Sequence, residues 1–247
     1  MQKTVLILGA TSKICHEAAR VWAKKNYNFV LVGRKTEKLE GVKRDLVAFG
    51  ADAIDILTID LANTAEVEDL VDQITSKHPK IDLILIGQGA MHDQNLAKYN
   101  TEMVETEITT NYLSSAIFLT KIRPWLEEKP GTRIGVITSV AGDRGRQSNY
   151  VYGSSKAGIS AFVEGFRADM ASKHVFVTNI KPGPVLTPMT AHLKASGANL
   201  ASAAEVGLDI MKAMEGGKRS LYTPFKWLFI MLIIRNIPSF IFDKLKI

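Results

Sequence analysis

Thr4-Val5-Leu6-Ile7-Leu8-Gly9-Ala10-Thr11-Ser12-Lys13-Ile14-Cys15-His16-Glu17 is the stretch that decides the architecture. Its apolar run stops at a glycine, and a helical pattern takes over at Lys13. The run reads as a buried strand. Gly9 permits a tight turn, and the helix start that follows is a place where backbone N–H groups can receive a pyrophosphate. A three-glycine fingerprint would make this specific, but Lys13 and Cys15 stand at the second and third glycine positions. Read alone, the run is equally a small-residue strand-to-helix turn, and the rest of the chain has to decide.

The same alternation recurs along the chain. Thr4–Leu8, Asn28–Val32, Asp55–Ile59, Leu83–Ile86, Arg133–Thr138 and Val175–Ile180 read as strands, and Arg219–Tyr222 as a short last one. Between them Lys13–Lys25, Thr36–Phe49, Ala65–Lys77, Thr101–Glu127, Tyr150–Ser172 and Ala201–Glu215 read as helices. Alternating strands and helices joined by right-handed crossovers give a parallel sheet covered on both faces. The expected fold is a single doubly wound α/β domain of Rossmann type over residues 1–223. A C-terminal apolar and basic appendage follows over 224–247.

Composition narrows the function classes. The 247 residues are 46% hydrophobic and 23% charged, as in a globular chain with a large core. The single cysteine, Cys15, excludes an internal disulfide and suits a reducing compartment. His16, His78, His92, His174 and His192 show no metal-ligand spacing and read as ordinary surface or loop residues, so no metal is expected. The run Val5–Leu8 is too short for the apolar region of a secretory signal. Net charge is +6, and all but one unit of it lies from Lys218 onward. The body is nearly neutral, which argues against general nucleic-acid binding.

A doubly wound sheet takes its ligand at the carboxyl ends of its strands. Those ends here are Gly9, Thr11, Ser12, Lys13 and Ile14; Arg34 and Lys35; Asp60 and Leu61; Gly87 and Gly89; Ser139; and Pro182-Gly183-Pro184-Val185-Leu186-Thr187. An acid at the end of the second strand would bond a ribose 2′-hydroxyl, whereas a base accommodates a 2′-phosphate. Arg34, helped by Lys35 or Lys13, therefore favours NADP(H) over NAD(H); the alternative is a solvated charge pair. Asp60 is placed to cap the adenine, and Gly87 and Gly89 to leave room for the cofactor.

Tyr152 and Lys156 lie four apart, on one face of a helix. A free tyrosine titrates near ~10, and a neighbouring ammonium favours the phenolate and lowers that value. Ser139, at a strand end, is placed to face this helix. The spacing alone is common; the cofactor residues upstream give it meaning.

Taken in order, Gly9-x-x-x-Lys13-Ile14-Cys15, Asp60-Leu61, Ile86-Gly87-Gln88-Gly89, Asn111, Ser139, Tyr152-x-x-x-Lys156 and Pro182-Gly183-Pro184-Val185-Leu186-Thr187 resemble a short-chain dehydrogenase/reductase over about residues 1–223. The resemblance implies a catalytic set of Asn111, Ser139, Tyr152 and Lys156. Tyr152 exchanges a proton with a carbonyl oxygen while hydride passes to or from nicotinamide. Lys156 lowers the pKa of Tyr152 and holds the ribose, and Ser139 orients the carbonyl. Asn111 supports a water relay, Thr187 binds the carboxamide, and Pro182-Gly183 passes close to the nicotinamide. Glycines are usual where Lys13 and Cys15 stand, and Asn-Asn-Ala-Gly is usual at 86–89, so cofactor affinity and orientation are what these departures touch. The blocks 139–157, Gln88–Gln94, Thr187–Thr190 and Tyr222–Trp227 are further similar to the branch containing decaprenylphosphoryl-ribose 2-keto-reductases, which implies a keto-sugar on a polyprenyl phosphate.

The tail carries its own signal. Phe225–Phe242 is mostly apolar but broken by Arg235, Asn236 and Pro238, too short and interrupted for an unaided span. With Trp227 at one end and basic flanks it suits an interfacial helix; the alternatives are an oligomer contact, expected of such folds, and a lid. Arg144 and Arg146, between Ser139 and Tyr152, would suit a phosphate-bearing substrate, or would pair with Asp143 at the surface. The expected protein is an NADPH-dependent ketoreductase acting on a lipid-linked ketone, cytoplasmic and peripheral at the inner face of a membrane. An acyl-chain ketoreductase, for which the two arginines would be dispensable, is the alternative within the class. A cofactor-binding regulatory protein of the same fold is the alternative outside it.

Overall fold

The computed structural model describes residues 2–191 and 199–245, so His192 and Lys246 lie outside the described residues. Seven strands are formed, β1 Thr4–Leu8, β2 Asn28–Gly33, β3 Ile54–Thr58, β4 Leu83–Ile86, β5 Arg133–Ile137, β6 Phe176–Pro182 and β7 Ser220–Thr223. They make one parallel sheet in the order β3-β2-β1-β4-β5-β6-β7. The order reverses direction between β1 and β4, which opens a crevice at their carboxyl ends.

The central strand shows why the sheet is covered on both sides. Val5, Leu6, Ile7 and Leu8 are all fully buried, and successive side chains point to opposite faces. Val5 and Ile7 join a core with Trp22 and Leu39, on the face of helices α1 (Lys13–Ala23), α2 (Thr36–Ala48) and α8 (Ala203–Glu215). Leu6 and Leu8 join Phe118, Ile122, Ile159 and Val163, on the face of α3 (Thr64–Lys77), α6 (Ser114–Glu127) and α7 (Tyr150–Met170). Each such Leu- or Ile-sized side chain contributes about 1.5–3 kcal/mol when fully buried.

Element boundaries depart from the sequence reading in several places. The short helix α4 (Gln94–Ala97) was not anticipated; Asp93 caps it by accepting the Asn95 N–H at 2.8 Å. The long helix expected over 101–127 consists of α5 (Thr101–Ile108), a π-helical turn at Thr109–Leu113, and α6. Helix α8 begins at Ala203 rather than Ala201, because Ala201 bridges to Val185. Strand β6 runs on to Pro182, carrying the sheet to the edge of the crevice. The tail forms α9 (Lys226–Asn236) and α10 (Ser239–Phe242), separated at Pro238, whose ring cannot continue a helix. Among the described residues no helix is long and apolar enough to cross a membrane.

Candidate active site

A cavity of about 610 Å³ lies across the carboxyl ends of the strands. Gly9, Thr11, Ser12, Lys13, Ile14, Arg34, Asp60, Leu61, Gly87 and Gly89 line it from one half of the sheet. Ser139, Arg146, Tyr152, Lys156, Pro182, Gly183, Val185 and Thr187 line it from the other. The structure thus brings into one space residues that are far apart in sequence.

Gly9 turns the chain with φ +74°, a left-handed value that favours glycine. A Cβ there would also stand 2.5 Å from the Gln88 nitrogen. The turn delivers the N-terminus of α1 to the cavity, and Ser12, its N-cap, makes no side-chain capping bond. Lys13 pairs with Glu17 at 2.6 Å while bordering the cavity. Lys13, Arg34 and Lys38 make this end cationic. Lys35 does not border it: it is the N-cap of α2, and the basic residue one turn further on, Lys38, takes the wall position expected of it. The helix start at Thr36 is the signal that would have singled out Lys38.

Gly87 has a different use from the one expected. A Cβ at this position would collide with the Cys15 sulfur and stand 2.9 Å from Ile137 Cδ1. The room at Gly87 is therefore filled by the protein's own Cys15. The bulk added at the third glycine position of the turn is matched by the missing side chain just after β4. Burial pushes the Cys15 thiol up to about 12, so it packs as an inert apolar group. Gly87→Ala is expected to lower the melting temperature by several degrees through overpacking, and Gly87→Ala combined with Cys15→Ala to recover most of that loss in a thermal scan. A single variant as stable as the parent would remove this account.

At the other end, Ser139 follows β5 and caps a short 3-10 turn, its hydroxyl accepting the Ala141 N–H at 3.0 Å. Tyr152 and Lys156 lie one turn apart on α7, with the Lys156 ammonium 5.8 Å from the centre of the Tyr152 ring. Lys156 Nζ donates to the Ile137 carbonyl at 3.0 Å. The net shift of Tyr152 runs opposite to the lowering expected from Lys156, because burial dominates. Burial pushes Tyr152 up to about 12, partly countered by the Ser139 hydroxyl and reinforced by the Glu107 carboxylate. Burial pushes Lys156 down to about 8. In this desolvated wall both charged forms are disfavoured, and the phenol keeps its proton at neutral pH. That state can donate a proton to a developing oxyanion.

Asn111 sits in the π-helical turn. Its Oδ1 accepts from Ala90 N at 2.8 Å, and its Nδ2 donates to Ala90 O at 2.8 Å and Ser155 Oγ at 2.9 Å. Both amide protons are thus committed to clamping the loop after β4 onto α7, which leaves one Oδ1 lone pair over. The π-turn is the local distortion that aims this side chain inward.

The two arginines part company. Arg146 borders the cavity, with Nη2 on Val140 O at 3.2 Å and Met231 Sδ at 3.4 Å and with its Nε buried and unpartnered. Arg144 turns away: Nη1 donates to the carbonyls of Ile234 at 2.6 Å and Ile237 at 2.5 Å, and its guanidinium lies over Phe242 at 3.7 Å. It holds the tail, so of the pair only Arg146 borders the cavity. Asp143 pairs with neither arginine. It bonds Lys181 at 2.8 Å and the Tyr222 hydroxyl at 2.7 Å, pinning the segment between Ser139 and Tyr152 to β6 and β7. Gly183, expected to pass close to a nicotinamide, is met by Trp227: a Cβ there would collide with the indole ring.

Two histidines are more engaged than expected. His16 on α1 bonds Asp45 at 2.7 Å and borders the cavity. His92 bonds the buried Glu107 through its backbone nitrogen at 2.6 Å and through Nδ1 at 3.1 Å. Among the described residues no cluster suited to a metal ion is present. Sequence reasoning missed Glu107, because a carboxylate on an amphipathic helix reads as solvated.

The family model described as short chain dehydrogenase matches residues 3–197. A dehydrogenase/reductase family protein 7-like of Drosophila melanogaster is 26% identical over 80% of this chain, which spans 62% of that longer relative. An uncharacterised oxidoreductase of Mycobacterium tuberculosis is 27% identical over 98% of this chain and 96% of its own length. Among solved structures, an actinorhodin polyketide ketoreductase with NADPH superposes with a TM-score of 0.80 at 22% identity, over 90% of this chain and 95% of its own.

Proposed function

The chain belongs to the short-chain dehydrogenase family of oxidoreductases, and from that premise we propose that it reduces a ketone to a secondary alcohol with NADPH. The observation that carries the reading is the convergence of Ser139, Tyr152 and Lys156 on the cavity whose far end is lined by Lys13, Arg34 and Lys38. The residues present fit a phosphorylated dinucleotide. The uncapped start of α1 behind Gly9 suits a pyrophosphate, and the Arg34–Lys38 wall suits a 2′-phosphate. NADPH, when bound, supplies a hydride to the carbonyl carbon. Tyr152, held protonated by burial, gives its proton to the carbonyl oxygen. Ser139 orients that oxygen, and the Lys156 ammonium stabilises the phenolate left behind.

The substrate reading is a lipid-linked ketone, with a polyprenyl-phosphate keto-sugar as its specific form. Its support is the resemblance of blocks 139–157 and 222–227, together with the Arg146 guanidinium in the cavity wall. The likeness to a polyketide ketoreductase supports a ketone on an acyl chain instead. NADPH oxidation measured against polyprenyl-phosphate keto-sugars, β-keto thioesters and small soluble ketones separates the two, with the first series expected to turn over fastest. No oxidation with any ketone would end the reductase reading.

Arg34→Ala should weaken NADPH binding about tenfold or more while leaving NADH within about twofold, because the pair removed is a charge-assisted contact to the 2′-phosphate. Titration by nucleotide fluorescence reads this. An unchanged preference would take Arg34 out of the cofactor site.

A further inference from the structure

Helix α9 is apolar without interruption from Trp227 to Ile234, yet only one of its faces is used by the fold. Met231 is fully buried, Trp227 lies against Gly183, and the Ile234 carbonyl accepts a hydrogen bond from Arg144. The opposite face carries Phe225, Leu228, Phe229, Leu232 and Ile233, spaced three and four apart, and Leu232 and Ile233 are 61% and 67% exposed. Phe240 of α10 is 71% exposed. Large side chains at helical spacing on a solvated face are not explained by packing and mark an interaction surface.

We infer that this face of α9 and α10 docks on an anionic lipid bilayer, lying in the headgroup plane with the cavity mouth held next to it. Charge chooses the occupant. The tail carries Lys226, Arg235 and Lys244 against a single acid, Asp243. A symmetric contact between two copies would set these cations against one another, whereas an anionic surface complements them. Size agrees: eleven residues of α9 span about 16 Å, too short to cross a hydrocarbon core and suited to lying on it.

The docked face is fastened to the catalytic half of the chain. Arg144 holds the last carbonyls of α9, Arg146 touches Met231 and the cavity together, and Trp227 covers Gly183. A lipid surface that orients α9 thereby orients the wall between Ser139 and Tyr152. The docking itself does not depend on the ketone assigned above.

Flotation of the full chain with vesicles of equimolar phosphatidylglycerol and phosphatidylcholine tests this. Binding is expected to the anionic vesicles, to weaken with added salt, and to fall about tenfold or more in Leu232→Ser/Ile233→Ser. Lys226→Glu/Lys244→Glu changes only exposed side chains and should lose the anionic vesicles while keeping the parent's melting temperature. Absence of binding by the parent, or binding that survives both variants, would overturn the proposal. So would a parent dimer by light scattering that the Leu232→Ser/Ile233→Ser variant converts to monomer, since the face would then belong to a second copy.

Discussion

Tyr152→Phe is expected to reduce turnover of a ketone by about a thousandfold while leaving NADPH affinity within about twofold. Positioned proton transfer contributes about 10²–10⁴ in rate, and the ring that packs beside Lys156 is kept. The expectation rests on protonation as well as position. Burial holds Tyr152 up at about 12, so the phenol is the resident form through the physiological range. Single-turnover NADPH oxidation and nucleotide titration, run on the same preparation, read the two quantities separately. Retained turnover would remove Tyr152 from the mechanism, and lost binding would make it a cofactor residue instead.

Asp143→Ala should be the most destabilising exchange near the site. Asp143 and Lys181 are paired at 2.8 Å with side chains only 3% and 8% exposed. Removing one partner of a buried pair costs about 3–5 kcal/mol, since the remaining charge stays desolvated. Glu164, 3.7 Å from Lys181, compensates only in part. For a chain of this size the loss is a fall of about 10 °C in melting temperature. Asp143→Ala with Lys181→Met removes both charges together and should regain much of it. If the double variant melts no higher than the single, the penalty comes from the Tyr222 bond or from packing. Activity should fall with Asp143→Ala even at temperatures where the protein is folded, because the segment carrying Arg146 loses its tie to the sheet.

How much of this was legible in the chain can be seen residue by residue. Thr4–Leu8 and Leu83–Ile86 were read to the residue, because a central parallel strand is apolar on both faces and leaves no ambiguity of period. Edges were read less well. The expected Asp55–Ile59 is Ile54–Thr58, where partial burial blurs the pattern. The π-turn at Thr109–Leu113 was invisible, since one extra residue in a helical turn does not change composition. Ser139, Tyr152 and Lys156 were found because chemistry and spacing coincide in them. Lys38 and Glu107 were not, since each looks like an ordinary helix residue until the tertiary structure shows what it faces.

Periodicity and residue chemistry therefore determined the alternation of strands and helices, the parallel sheet and the line of reactive side chains at its strand ends. These follow from local pattern and from crossover handedness, which act along the chain. Tertiary structure alone decided how those side chains are spent. It matched Cys15 to Gly87, turned Arg144 to the tail and Arg146 to the cavity, and raised Tyr152 where an adjacent lysine had suggested a lowering. Each depends on which atoms meet across the sheet and on how much water is excluded, and neither is a property of any stretch of sequence read by itself.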